Sequence, residues 1–402
     1  MDKTRGYHIE TSRIGSVGED SKMYKSEKLR ALEMVCIAII LSIIGAVVQK
    51  DWGDALFPQS VRAEQIKNAV LIGMGLCICI LFKVISRLKG SKAALIGVSV
   101  VTGVLLILAS FSVASFGNGI RLVLLGPIII RFSLLIPLAY ILIVSFAISR
   151  LEGQSDYYLF FTVVTITLLM TLTSEALDSA DRLWYLLPWI GYVLMFPRMK
   201  EHIWYYWLPL VFIAAYASQI AYVWFNEDEH IISYRGRVIA AWLYPDSEVY
   251  KDTNYFPLQL REMVKSGGIL GNKAAFSTDS ISYRDGSGLL LVGLFQRFGF
   301  LGFAAISALT AVLCRQIWRI ASTQLRKGNT YQATVCRGIC IFFALSGGWS
   351  VISYLYILPM TSMFDYPFLC VNGFLPVWFL CLAAALSTTD TYSQPFKKDQ
   401  MN

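Results

Sequence analysis

Charge is scarce in this chain. Asp, Glu, Lys and Arg make up 15% of its 402 residues, against 56% hydrophobic residues and a mean hydropathy of +0.56. So few charged groups cannot cover the surface of a water-soluble chain of this length, which excludes the soluble globular and disordered classes and leaves a polytopic membrane protein. Histidine is scarcer still: His8, His202 and His230 leave a histidine-built metal or catalytic centre few parts to work with. The eight cysteines (Cys36, Cys77, Cys79, Cys314, Cys336, Cys340, Cys370 and Cys381) fall in or at the ends of hydrophobic runs. That placement argues against a disulfide framework. Neither Cys77 with Cys79 nor Cys336 with Cys340 has the second pair or nearby histidine that a zinc site needs, so they read as packing residues.

What the sequence has in abundance is apolar runs. A helix crossing roughly 30 Å of hydrocarbon needs about 20 residues. Runs that reach or approach that length lie at Leu32 to Val48, Ala69 to Ile85, Ala93 to Val113, Phe132 to Ile148, Tyr157 to Leu172, Leu183 to Phe196, Ile203 to Phe225, Leu289 to Leu313, Ala333 to Leu358 and Phe368 to Ser387. The expected fold is therefore an all-α polytopic membrane protein of about ten transmembrane helices, the fifth and sixth runs falling short of a full crossing. One large extracytoplasmic loop, 226 to 286, separates spans seven and eight. Residues 1 to 28 and 388 to 402 form terminal tails around a membrane domain of residues 29 to 387.

The distribution of charge gives the orientation. Arg87, Lys89 and Lys92 follow the second run, and Arg315, Arg319, Arg326 and Lys327 follow the eighth, which places those loops and both termini on the cytoplasmic side of the cell membrane. Trp52, Trp184, Trp204, Trp224 and Trp318 lie near run ends, as interfacial anchors do. The net charge of +8 is carried mostly by these loops and the N-terminal tail, so its expected partner is anionic membrane lipid and not nucleic acid.

The loop from Asn226 is the one large polar segment between runs, so extracytoplasmic chemistry has to draw on it. It opens on Asn226-Glu227-Asp228-Glu229-His230, passes Arg235, Arg237, Trp242 and Tyr244, and reaches Ser266-Gly267-Gly268-Ile269-Leu270-Gly271. Its glycines permit positive φ and close backbone approach. Tyr255, Gln259, Ser266, Gly267, Gly268 and Gly271 stand in the order of a Y-Q-x-x-Q-S-L-x-A-I-x-S-G-G-x-x-G pattern. Asn118-Gly119-Ile120-Arg121 with Leu125-Gly126-Pro127-Ile128 looks like R-W-I-x-L-G-P-x-x-F-Q-P-S-E-L. Leu358-Pro359-Met360-Thr361-Ser362, Tyr366-Pro367-Phe368 and Asn372-Gly373 look like L-P-V-T-G-x-P-x-P-F-x-S-Y-G-G.

On these three separated motifs the chain resembles the SEDS family of FtsW, RodA and SpoVE, from about Arg121 to Ser387. The resemblance implies a helical bundle with an apolar groove for undecaprenyl chains. It also implies polymerisation of lipid II into peptidoglycan glycan strands during elongation, division or sporulation, with a class B penicillin-binding protein as partner.

The chain also departs from the pattern. Where the family reads Q-P-S-E-L-x-K, Arg131-Phe132-Ser133-Leu134-Leu135-Ile136-Pro137 keeps the serine and loses the glutamate and lysine; where it reads Q-P-D-L-G-T, Glu175 replaces the aspartate. Aligning its G-E-E-L-G-F-L-G run on Gln296 to Gly302 puts Gly288 at the catalytic aspartate's position, with Asp285 three residues earlier, one helical turn away. A carboxylate there could take the proton from an acceptor sugar's 4-hydroxyl while pyrophosphate leaves the donor, and Arg284 beside it could bind that pyrophosphate. The expected catalytic residue is thus Asp285. Arg284, Ser266, Gly267, Gly268, Gln259, Arg121, Arg131 and Ser133 are expected at the substrate. Glu175 and Asp178 are candidates to hold Mg²⁺ or Mn²⁺ against its phosphates. Two alternatives stand beside this one: a catalytically degenerate scaffold that binds lipid II or a penicillin-binding protein, and an O-antigen-type polysaccharide polymerase or ligase.

Overall fold

The computed structural model describes residues 29–48 apart from 31 and 46, 114–116, 120–125, 128–130, 136–175, 180–225, 234–272, 289–359 and 366–369, with Phe379 and Ala383. Its helices are α1 (Leu32–Gly45), α2 (Ile136–Arg150), α3 (Asp156–Glu175), α4 (Ala180–Met199), α5 (Trp207–Phe225), α6 (Tyr234–Leu243), α7 (Lys251–Gly267), α8 (Leu289–Arg326) and α9 (Thr330–Tyr354). Short 3₁₀ turns at Ile203–Tyr206 and Glu248–Tyr250 lead into α5 and α7.

Most apolar runs expected to be spans are helices. Within the described residues, α5, the Leu291–Arg326 part of α8, and α9 are long and apolar enough to cross a membrane. α3 and α4 have 20 residues each, about 30 Å at ~1.5 Å per residue, but neither is apolar over that whole length, so the fifth and sixth runs fall short of a full crossing as expected. Their apolar runs are short because polar residues (Asp156 and Glu175 in α3, Asp181, Arg182 and Arg198 in α4) continue the helix past them. The expected spans Ala69 to Ile85 and Ala93 to Val113 lie outside the described residues, as does most of Phe368 to Ser387.

Two features differ from the sequence expectation. Before α2 the chain forms a three-stranded antiparallel meander, β1 (Ala114–Phe116), β2 (Ile120–Leu125) and β3 (Ile128–Ile130), in which Ser115 pairs with Arg121 and Leu125 with Ile128. The β-branched Ile120, Val123 and Ile128 to Ile130 suit strands. The second difference is that the described part of the large loop, 234–272, is largely helical, because its polar residues are periodic. In α7, Leu260, Met263, Val264 and Gly267 turn toward the bundle while Arg261, Glu262 and Lys265 stay exposed, a 3.6-residue stripe.

The core lies between α2, α3, α4, α8 and α9, and close helix approach is what fills it. A Cβ on Gly191 of α4 would stand 2.3 Å from the Tyr140 hydroxyl, and one on Gly338 of α9 would stand 2.6 Å from Ile141. Tyr140 is fully buried; the Thr167 hydroxyl donates to the Val163 carbonyl (2.7 Å), so Tyr140 donates its own proton to Thr167 (2.8 Å). A smaller cluster seats α6 under the end of α5 through Val223, Ile239, Ala240, Ala241 and Tyr250.

At the other end of α3, Arg198 of α4 ties three chain segments together. Its Nε donates to Asp156 (2.7 Å), its Nη1 to the Leu151 carbonyl (2.7 Å) and its Nη2 to the Gln154 carbonyl, while His202 lies 3.4 Å from Asp156. Arg198→Ala leaves two turn carbonyls and a carboxylate without this donor. We expect a loss of about 1.5–3 kcal/mol, the range for hydrogen bonds to charged groups, read as a lower Tm in detergent. Arg198→Lys, which cannot span all three acceptors, recovers only part of it.

Candidate functional site

α8 has 38 residues, about 57 Å at ~1.5 Å per residue, nearly twice the hydrocarbon thickness of a bilayer. It is not continuous: at Gly299 the backbone turns to φ 64°, ψ −164°, and the ladder opens. In an unbroken helix the Phe300 and Leu301 amides would donate to Gln296 and Arg297. Here Phe300 donates instead to the Gly268 carbonyl (3.0 Å) and Leu301 to the Ile269 carbonyl (3.1 Å), while the Gln296 carbonyl accepts from Asn272 (2.7 Å). The turn that ends α7 is thus spliced into the break in α8.

Glycine makes this splice possible. A Cβ on Gly267 would lie 2.2 Å from the Phe295 carbonyl oxygen, one on Gly271 2.2 Å from that of Arg297, and one on Gly299 2.3 Å from that of Ile269. Gly268 and Gly271 also take positive φ, 59° and 90°. The obstacles are backbone atoms, which cannot rotate aside.

The third motif arrives at the same place. Phe295 stacks on Phe303 across the break (centroids 4.8 Å), and Tyr366 meets Phe303 edge-on (6.0 Å) and bonds Ser307 through its hydroxyl (3.2 Å). Phe368, at φ 68°, packs on Phe343 of α9, and its carbonyl lies against Gly45 of α1. After α9, Tyr356 takes φ 56°, a conformation rare for an aromatic residue, and its carbonyl accepts from Trp242 of α6 (3.3 Å). Burial pushes the Tyr356 phenol up to about 12, with the Arg261 guanidinium of α7 pulling the other way. The loop helices are therefore held on α8 and on the segment after α9 as well as on the end of α5.

Of the residues expected at the substrate, Gln259, Ser266, Gly267 and Gly268 come together on α7 and its C-terminal turn. Gln259 is half-buried; Ser266 is exposed and donates to the Met263 carbonyl (2.8 Å); the two glycines carry the splice. Arg121 lies on β2 and Glu175 closes α3. Asp285, Arg284, Arg131, Ser133 and Asp178 lie outside the described residues. Among the described residues no group of three or more metal-ligating side chains converges.

Sequence reasoning missed the splice partner Gly299, the strained Tyr356 and the interior amide of Gln296. Gln296 is 1% exposed, and its Oε1 has no hydrogen-bond partner among the described residues. Gly299 and Gly302 inside an otherwise apolar run were the available signal for the break.

No family model and no curated protein matches the chain. Solved structures do. The class they define is a polytopic helical membrane bundle. One structure, described as the structural coordination of polymerization and crosslinking by a peptidoglycan synthase complex, superposes with a TM-score of 0.65 at 17% identity, covering 88% of this chain and 96% of that one. The rod shape determining protein RodA of Thermus thermophilus superposes with a TM-score of 0.52 at 15% identity, covering 88% and 94%, and a point mutant of it with 0.54 at 17%, covering 88% and 96%. The chain is a multi-pass membrane protein with the fold of RodA.

The splice has a measurable signature. Gly299→Ala and Gly271→Ala each place a methyl group against backbone and force it into positive φ, and we expect each to cost at least about 2 kcal/mol, with a large fall in Tm. Gly348→Ala in α9, where a Cβ meets nothing within 4 Å, leaves Tm unchanged or raises it, with a gain of ~0.5–1 kcal/mol in stability from helix propensity.

Proposed function

We propose that this chain is a divergent SEDS protein of cell-wall synthesis that polymerises lipid II into glycan strands at the outer face of the cytoplasmic membrane, with both termini inside. The observation that carries the reading is convergence. On a RodA-like fold, the loop glycines, the Gln296 to Gly302 run and the Tyr366 turn meet around one helix break, although up to a hundred residues apart in sequence.

In this reading α7 and its turn form a wall of the substrate site, and the exposed Arg261 supplies positive charge near the donor's pyrophosphate, Lys265 being paired with Glu262. Asp285, four residues before α8 begins, takes the proton from the acceptor 4-hydroxyl as the new glycosidic bond forms and pyrophosphate leaves, and Arg284 offsets its charge. Arg121, Arg131 and Ser133, in the sequence before α2, are the further residues this reading assigns to the substrate. The expected partner is a class B penicillin-binding protein, a reading supported by the likeness to a peptidoglycan synthase complex.

The departures favour a second reading in which the chain binds lipid II or its partner without turnover. Gly288 stands at the aspartate's register, and Gln296 and Arg297 stand where the resembled family has two glutamates.

Purified protein, with any penicillin-binding protein that copurifies, is assayed for lipid II polymerisation with Mg²⁺ or Mn²⁺, the ions Glu175 and Asp178 are expected to hold. We expect glycan chains from the wild type and a loss of 10²- to 10⁴-fold in Asp285→Ala, the range for removing a general base. Lipid II binding without chains from either protein selects the scaffold reading.

A further inference from the structure

We propose that the turn at the end of α7 is a lipid anchor, with Ile269 and Leu270 inserted at the hydrocarbon edge of the leaflet on that side and covered by acyl chains. Ile269 is 69% exposed and Leu270 77%, the most outward-facing part of the turn. Across the splice, Phe300 (58%) and Leu301 (53%) continue the same apolar patch on α8.

The depth of the patch follows from charge. Between Arg297 and Arg315 the run from Phe298 to Cys314 holds no charged residue, and it is roughly 25 Å long at about 1.5 Å per residue. That is close to the hydrocarbon thickness once the arginines reach outward with their long side chains. Arg315, Arg319 and Arg326 then mark one boundary and Arg297 the other. Phe300 and Leu301, and with them the turn they bond, lie just inside the boundary marked by Arg297.

Irregular backbone at that depth is tolerated only if its polar groups are satisfied by protein. The turn meets that condition at the backbone groups that face α7 and α8. The Gly268 and Ile269 carbonyls accept from α8, the Gly271 amide donates to the Gly267 carbonyl (2.9 Å), and the Asn272 amide donates to the Gln296 carbonyl. The residues just before it are polar and exposed: Lys265 is paired with Glu262 (2.6 Å), and Ser266 is exposed as well. Within four residues the exposed surface of this segment changes from charged to fully apolar, as a chain passing from headgroups into acyl chains does. A protein partner on the same patch would need no such boundary.

Two measurements test the anchor in nanodiscs of phosphatidylethanolamine and phosphatidylglycerol. A spin label at Leu270→Cys, with the eight native cysteines replaced by alanine, is compared with one at Asp246→Cys on the exposed α6–α7 connection. Molecular oxygen should relax the label at 270 at least three-fold more effectively than a water-soluble nickel chelate, with the order reversed at 246. The native chain, which avoids any folding defect of the variants, is irradiated with a phospholipid carrying a diazirine near the middle of one acyl chain. Adducts are expected on the peptide containing Ile269 and Leu270. Nickel access at 270 equal to that at 246 places the tip in water and overturns the proposal. Low access to both reagents, or acyl adducts on α5 and α8 but none on the turn, means that protein covers the patch and overturns it equally.

Discussion

The structure depends on one constraint: the polar backbone exposed by the break in α8 must find partners where water is scarce. An unpaired amide or carbonyl in hydrocarbon costs several kcal/mol. Opening the ladder at Gly299 frees the Phe300 and Leu301 amides and the Gln296 carbonyl, and the turn at 268–272 supplies a partner for each. The dependence is mutual, since the turn's own carbonyls have no helix to complete. Neither segment satisfies these groups alone, and the contact forms only because Gly267, Gly271 and Gly299 present no Cβ to the opposing backbone. With Gly267 fixed, α7 is fixed, its Leu260 face seats on the core, and Gln259 and Ser266 are carried to one end of the bundle.

That constraint also explains what could and could not be read from the sequence. The positions of most helices were legible because apolar length is a composition signal, and the turn glycines were legible because Ser-Gly-Gly-Ile-Leu-Gly has few other uses. Helix α7 was hidden: its average polarity reads as loop, and only the period of Leu260, Met263, Val264 and Gly267 betrays a buried face. The break was hidden for the opposite reason, since Phe298 to Cys314 is uniformly apolar and hydropathy does not register a dihedral angle. The meander at 114–130 has strands of three to six residues inside an apolar stretch, too short for alternation to show. Tyr356 could not have been anticipated, because its φ of 56° is imposed by packing after α9 and not by its own preference.

The same distinction separates the parts of the candidate site that match the resembled pattern from those that do not. What the chain keeps are residues whose role is stereochemical: the turn glycines, with Gly299 and Gly302. What it changes are charges. Gln296 illustrates the physics. A carboxylate at a position 1% exposed would be ionised only with a buried counter-charge or hydrogen bonds to support it. An amide occupies the same volume without that requirement, so replacing glutamate by glutamine keeps the fold and removes a titratable group.

It follows that likeness of fold and likeness of chemistry rest on different residues here. A TM-score of 0.65 at 17% identity means that the fold is alike while few of the residues that build it are the same. The splice is one contact that permits this: it fixes the end of α7 to α8 through backbone atoms and glycines, so side chains on either helix can change without opening it. Under the proposed function the acid is the residue that this freedom puts to the test, since Asp285 stands three residues before the resembled register in sequence and misplacement by 1 Å can cost a preorganised proton transfer about 10²-fold.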